Sequence, residues 1–350
     1  MGVVHVVLAC PCGPSGGPEA YHQLHAALSE AGHCTLMHGA IRQYDTRYSR
    51  HYYPSGKGLL DLTESRGAVI ADTPLEGMES PVRAGDVVVL ADGIEEPTEV
   101  ENWSKRGVTV TTWNVGQTVD DMVHGALRRS IAGSIPLCLD QYLSQMYRCF
   151  PSAQLAVPMP DVIRTQAAHA RLHAQKQNLV IIDNDNVNNG VTLDAVKAGL
   201  ASVPGLPSDV EVVVLHGFSR AEVIDLYSRA KLVIDLYVPG AERIILESVL
   251  FNCMVAVAVN GNAREPTDFP IPVKARLPSF PTVQDVVSVV ADYLPRYDTA
   301  INEWHAMRSV VLSLTRDTLV KRAKDIFVSV AFVALGELST VLFVFSMSSY

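Results

Sequence analysis

The sequence predicts a parallel, doubly wound α/β fold built in two halves, and three observations carry that expectation. Short β-branched apolar runs alternate with helical stretches along most of the chain, the pattern of strands buried between crossover helices. A glycine-rich turn, Gly13 to Gly17, follows the first apolar run and opens a helix. Past Pro158 and Pro160 the same alternation begins again, which marks a junction between the halves.

Taken in order, Val3 to Ala9 is the first strand. Pro18 suits the first turn of the next helix, because the N–H it lacks is one that a helix start leaves unsatisfied anyway. That helix reaches Ala31 and closes at Gly32, and Cys34 to Met37 is a second strand. Tyr44 to Gly56, rich in Tyr and Arg, reads as a loop or lid. Asp86 to Leu90 is a strand that turns off at Ala91-Asp92-Gly93, Glu95 to Arg106 a helix, and Val108 to Thr112 a strand. In the second half a polar helix runs through Lys176. Strands at Leu179 to Asp183, Val210 to Leu215 and Leu232 to Leu236 alternate with helices at Leu193 to Ala201 and Ser219 to Ala230, the latter capped by Ser219. A Pro239-Gly240 loop, a further helix, an apolar strand and an Asn-Gly loop complete the theme.

The length fits two domains of ordinary size, and 48% apolar residues exclude disorder as the main state. A formal charge of −9 leaves no whole-chain footprint for nucleic acid, so an anionic ligand needs a local site. Cys10, Cys12, Cys34, Cys138, Cys149 and Cys253 match no zinc or Cys-x-x-Cys spacing, and reduced, cytoplasmic conditions are the expectation. No secretory signal opens the chain. Ile326 to Phe345 is an apolar run of spanning length behind Lys321, Arg322 and Lys324, the pattern of a membrane anchor with a basic flank. Glu337, at a cost of ~3 kcal/mol in a bilayer centre, favours instead a helix packed on the body of the protein. Both readings stand at the level of sequence.

Four constellations can carry chemistry. The helix after Pro239-Gly240 leaves backbone N–H groups free at its N-terminus, a ready site for a diphosphate, and Arg243 and Glu247 lie four apart on one of its faces. The stretch Gly13 to Leu24 brings Gly16, Gly17, Glu19 and His22 to the start of the first helix, where backbone can approach a ligand closely. Asp183-Asn-Asp-Asn-Val-Asn-Asn-Gly190 follows a strand with two acids and no base; it lacks the closing Glu of a calcium loop, so no metal is expected. Asp92 follows a strand and suits either an acceptor proton or a helix cap. Trp113 and Asn114 suit a stacking platform for a sugar, although a lone Trp is more often core, and His216, before Gly217, is the histidine expected to face a ligand.

The segment from Ser219 to Asn262, with Pro239, Gly240, Arg243 and Glu247, resembles the donor-sugar half of family-4-type retaining glycosyltransferases of the GT-B fold. It looks closer still to uncharacterised glycosyltransferase-like proteins of bacteria and algae. Gly16, Gly17 and Glu19 resemble the Gly-Gly-x-Glu loop of the acceptor domain in those enzymes. The resemblance implies two Rossmann-like domains facing a cleft: an acceptor domain over 1–165, a nucleotide-sugar domain over 166–310, and a C-terminal helix with an apolar tail over 311–350. It implies transfer from a nucleotide-sugar, with retention and without metal or other cofactor, to a glycan or lipid-linked acceptor. Gly16, Gly17 and Gly217 would lie against the donor, Arg243 would neutralise the diphosphate, Glu247 would hold ribose or sugar, and Asp92 or His22 would meet the acceptor. Two departures favour a catalytically degenerate scaffold or partner subunit as the alternative. Pro239 stands where those enzymes carry a first Glu, and acids replace the bases expected at 183–190. A nucleotide-sugar epimerase is a further alternative.

Overall fold

In the computed structural model the described residues are 2–7, 16–38, 70–71, 82–91, 97–115, 128, 130–150, 152–173, 175–184, 190–238, 240 and 243–334. They divide into two units, one of Met1–Pro158 with Thr315–Tyr350 and one of Met159–Leu314.

In the first unit the apolar runs form strands because Val, Ile and Thr pack well on a pleated surface covered from both sides. They are β1 (Val4–Val7), β2 (Thr35–His38), β3 (Ile70–Ala71), β4 (Val87–Ala91), β5 (Thr109–Asn114), β6 (Ile135–Cys138) and β7 (Ala153–Gln154). All neighbours pair in parallel, in the order β3-β2-β1-β4-β5-β6-β7. Helices α1 (Gly16–Glu30), α2 (Pro97–Lys105) and α3 (Gln141–Met146) lie between strands, and Asp140 caps α3 by accepting from the Leu143 N–H. Trp113 is buried at the end of β5: its Nε1 donates to the Leu155 carbonyl at 2.9 Å, and Tyr21 donates its hydroxyl to the Trp113 carbonyl at 2.5 Å. Asp86 ties the amino ends of β1 and β4, accepting from the Val3 and Arg83 N–H groups and bonding His5. Burial works against its charge, yet those bonds hold the carboxyl below its usual range.

The second unit repeats the plan around its own apolar core. It runs α4 (Asp161–His173), β8 (Gln177–Asp183), α5 (Leu193–Ala201), β9 (Glu211–Val214), α6 (Arg220–Arg229), β10 (Ala230–Asp235), α7 (Arg243–Leu250), β11 (Met254–Ala258), β12 (Arg276–Leu277), α8 (Val283–Tyr293) and α9 (His305–Ser313). The sheet is parallel, in the order β12-β11-β10-β8-β9. Ser219 caps α6 and Thr282 caps α8, each in a reciprocal capping box, with Glu222 and Asp285 respectively. A Cβ at Gly199 would sit 2.7 Å from Val287 Cγ2, so α5 and α8 pack as closely as a glycine allows. Trp304 fills the core against Tyr293, edge to face at 4.9 Å, and donates to the Val255 carbonyl at 2.9 Å.

The chain then returns to the first unit in α10 (Arg316–Ala334). Leu319, Ala323, Ile326 and Phe327 are buried at the spacing of one helix face. The helix meets α1 through Arg316–Glu30 at 2.5 Å, and Phe327 meets His33 edge to face. Residues 326–334 of the expected apolar run are thus part of α10, where Ile326 and Phe327 are buried, and residues 335–345 lie outside the described residues. Among the described residues no helix is long and apolar enough to cross a membrane.

Candidate functional site

In an open parallel sheet, ligands bind beyond the carboxyl ends of the strands where the strand order reverses. In the second unit that point is β8, flanked by β9 on one side and β10 on the other. Strands β8 and β10 end in Asp183 and Asp235, which are register partners and are 5% and 1% exposed. Asp235 Oδ1 accepts from the Tyr237 N–H at 2.9 Å, which turns the chain out of β10. Two carboxylates are therefore held side by side at the switch point.

Helices α6 and α7 add the rest. Arg220 opens α6, and its Nη2 donates to Glu247 Oε1 of α7 in an ion pair. The Glu247 side chain is 0% exposed, whereas Arg220 is 20% exposed and covers it. Glu247 Oε2 is buried without a hydrogen-bond partner, as is the Tyr227 hydroxyl. Burial and the Glu247 charge push the Tyr227 phenol well above its usual range; Asp183 adds to the rise and Arg220 opposes it. Arg220 and Glu247 thus join α6 to α7 through one ion pair, and its charges act on the Tyr227 phenol.

Arg243 is the first residue of α7 and is half-buried. The sequence pairs Arg243 with Glu247 through their spacing, but the hydrogen-bonded partner of Glu247 is Arg220, 27 residues away. The loop before α6 carries Gly217 at φ +72, a left-handed conformation that favours glycine, with His216, Gly217 and Phe218 exposed around it. Asn260 locks the turn after β10 onto the turn after β11. Its Oδ1 accepts from the Val238 N–H at 2.8 Å, and its Nδ2 donates to the Leu236 and Ser279 carbonyls at 3.1 and 3.2 Å.

In the first unit Gly16 and Gly17 are the first residues of α1, where the N–H groups have no acceptor within the helix. Glu19 and His22 follow on its buried face. Burial, and then His25, push the His22 pKa down to about 3, so the ring is neutral at physiological pH. His25 Nε2 bonds Thr35 Oγ1 at 3.0 Å, and Thr35 Oγ1 bonds Ser29 Oγ at 2.9 Å, tying α1 to β2.

Of the two readings of Trp113, platform and core, the core reading holds, and Asn114 is no platform either. Both side chains are buried, Trp113 by its bond to Leu155, and Asn114 Nδ2 donates to the Thr112 and Leu137 carbonyls. Asp92, Pro239, residues 185–189, the 44–56 segment, Cys10 and Cys12 lie outside the described residues. Among the described residues no group of three or more His, Cys, Asp or Glu could hold a metal ion.

No family model matches the sequence, and no curated protein matches it. Solved structures do match in fold. Anabaena HepE in complex with UDP and glucose shares 10% identity over 94% of this chain and 100% of that chain, at a TM-score of 0.60. Sucrose-phosphate synthase of Thermosynechococcus elongatus shares 11% over 93% and 98%, at 0.57. The N-terminal domain of Candida albicans trehalose-6-phosphate phosphatase shares 11% over 95% and 99%, at 0.61. The fold is therefore α/β with two Rossmann-like units, as in these neighbours.

Proposed function

We propose that this chain is a glycosyltransferase that takes a sugar from a nucleotide-sugar, with the second unit as the donor half. The observation that carries the reading is the Arg220–Glu247 ion pair between α6 and α7, in the unit whose strands β8 and β10 end in the register partners Asp183 and Asp235. It stands in a fold shared with HepE, a protein solved with UDP and glucose. A carboxylate suits a ribose diol because its two oxygens accept two hydroxyl donors, and Glu247 Oε2 is the acceptor left over once Arg220 holds Oε1. Arg243, at the start of α7, suits the departing diphosphate, whose growing charge a fixed cation stabilises. Gly217 lets backbone approach the nucleotide. In this reading the two arginines do the work of a metal, and transfer retains configuration as in family-4-type enzymes. The acceptor, a glycan or lipid-linked sugar, is assigned to Asp92 or His22 of the first unit, and Gly16, Gly17 and Glu19 are assigned to the donor phosphate. The fold alone does not fix an activity, and the Arg220–Glu247 cluster is the reason for choosing this one.

A second reading, a scaffold without catalysis, is favoured by a specific observation. Asp183 and Asp235 set two carboxylates where a diphosphate would lie, and Arg220 is already engaged by Glu247. Release of nucleoside diphosphate from UDP-, GDP- and ADP-sugars separates the readings. The proposed enzyme turns over one of them, and Arg243→Ala slows it about 100-fold. Nucleotide binding without any release would establish the scaffold instead, and interconversion of the sugar without acceptor would establish an epimerase.

A further inference from the structure

The amino ends of β8, β10 and β11 meet at Lys176, Ala230 and Cys253, at the opposite end of these strands from Asp183 and Asp235. Lys176 Nζ donates to the carbonyls of Tyr227 at 2.8 Å and Ala230 at 2.7 Å, where it caps the last turn of α6. The thiol of Cys253 donates to the same two carbonyls, at 3.2 and 3.3 Å. Because both groups hold the same acceptors, nitrogen and sulfur are brought to 3.5 Å of each other. Cys253 is buried and Lys176 half-buried.

We propose that Lys176 and Cys253 are a modification site, joined by a reversible nitrogen–sulfur bond when the protein meets hydrogen peroxide. The chemistry balances with one peroxide. The Lys176 amine takes the thiol proton, and the thiolate attacks peroxide, giving a sulfenic acid and hydroxide. The hydroxide recovers the proton from the ammonium as water. The amine lone pair then attacks the sulfenic sulfur, the S–O bond breaks, and the oxygen leaves as a second water with a proton from nitrogen. Sulfenic acids condense with nitrogen in this way to give sulfenamides. Burial lowers the Lys176 pKa and so raises the share of neutral amine. Burial raises the pKa of the Cys253 thiol, and Lys176 works against that rise. The bond would close a loop across 77 residues, restricting the unfolded chain.

The test is peptide mapping by mass spectrometry, without reductant, of the full chain after hydrogen peroxide. The exposed Cys34 and Cys149 report that the oxidant acted. The expected product is a pair of peptides joined through Lys176 and Cys253, lighter by one hydrogen pair than the separate peptides and released by dithiothreitol. It is absent in Cys253→Ala and in Lys176→Arg, which keeps a cation and donors for both carbonyls but offers no comparable nucleophile. The oxidised protein should also melt about 5 °C higher than the reduced one, a rise that Lys176→Arg loses. Oxidation of Cys34 and Cys149 with Cys253 left as a thiol, or Cys253 sulfinic acid without a linked peptide, would overturn the proposal.

Discussion

The two sheets obey one topological rule and keep different chemistry where it operates. In the first unit the strand order turns at β1, and α1 buries Glu19, His22 and His25 against the sheet. Burial keeps His22 neutral there, and the nearby hydrogen bonds run to Thr35 and Ser29, which fasten a helix to a strand. In the second unit the order turns at β8, and charge is retained through Asp183, Asp235 and the Arg220–Glu247 pair. A neutral buried network serves to fix register, whereas a buried charged one costs desolvation that a fold seldom needs for stability alone. The Arg220–Glu247 pair is the physical ground for assigning donor binding to the second unit.

The comparison can be broken first at the cores. Trp304→Ala and Trp113→Ala each remove a buried indole and leave a carbonyl, Val255 or Leu155, without its donor. Each should cost about 4 kcal/mol in denaturant unfolding; a loss below about 1 kcal/mol for Trp113 would show the first unit is not packed around it. Next comes the charged cluster. Arg220→Ala strands the Glu247 carboxylate in the interior and should cost about 3 kcal/mol, at the low end for a buried pair because Arg220 reaches solvent. The double variant Arg220→Met with Glu247→Leu should recover most of that loss, since an apolar pair needs no desolvation. A neutral Arg220→Ala would remove the contrast between the units.

The neutral network makes its own prediction in acid. The unfolded chain protonates His22 near pH 6.5, whereas the folded ring accepts the proton only near 3. Between those values the unfolded state binds more protons, so stability falls with pH by about 1.4 kcal/mol per unit from this group. His22→Gln should flatten the slope of stability against pH in that window, and an unchanged slope would contradict the assignment. The smallest effect lies at the entrance to the charged site. Ser219→Ala removes half of the capping box before Arg220 and should cost about 1 kcal/mol.

The second unit was the more legible in sequence. Leu193 to Ala201 is a helix with the expected ends, and the strands ending in Asp183 and Asp235 read as fully buried apolar runs. Their common ending, Ile-Asp, was a usable signal for a paired carboxylate site, but it emerges only when both strands are set in register. Strand β6 escaped because Pro136 lies inside it, and β7 and β12 because two residues carry no alternation. Glu247 stands out in the sequence, while its pairing with Arg220 does not. Helical spacing points to Arg243, and only tertiary structure brings Arg220 across from α6. Trp113 is ambiguous in sequence because an indole beyond a strand reads as platform or core, and its bond to Leu155 decides for the core.

Calorimetric titration of the full chain with UDP, GDP, ADP and their sugars tests the central claim most directly, with Arg243→Ala and Glu247→Gln alongside. The account predicts that one nucleotide binds the wild-type protein and that both variants weaken it at least tenfold. No binding across the panel, or binding indifferent to both substitutions, would contradict the assignment of the donor site to the second unit.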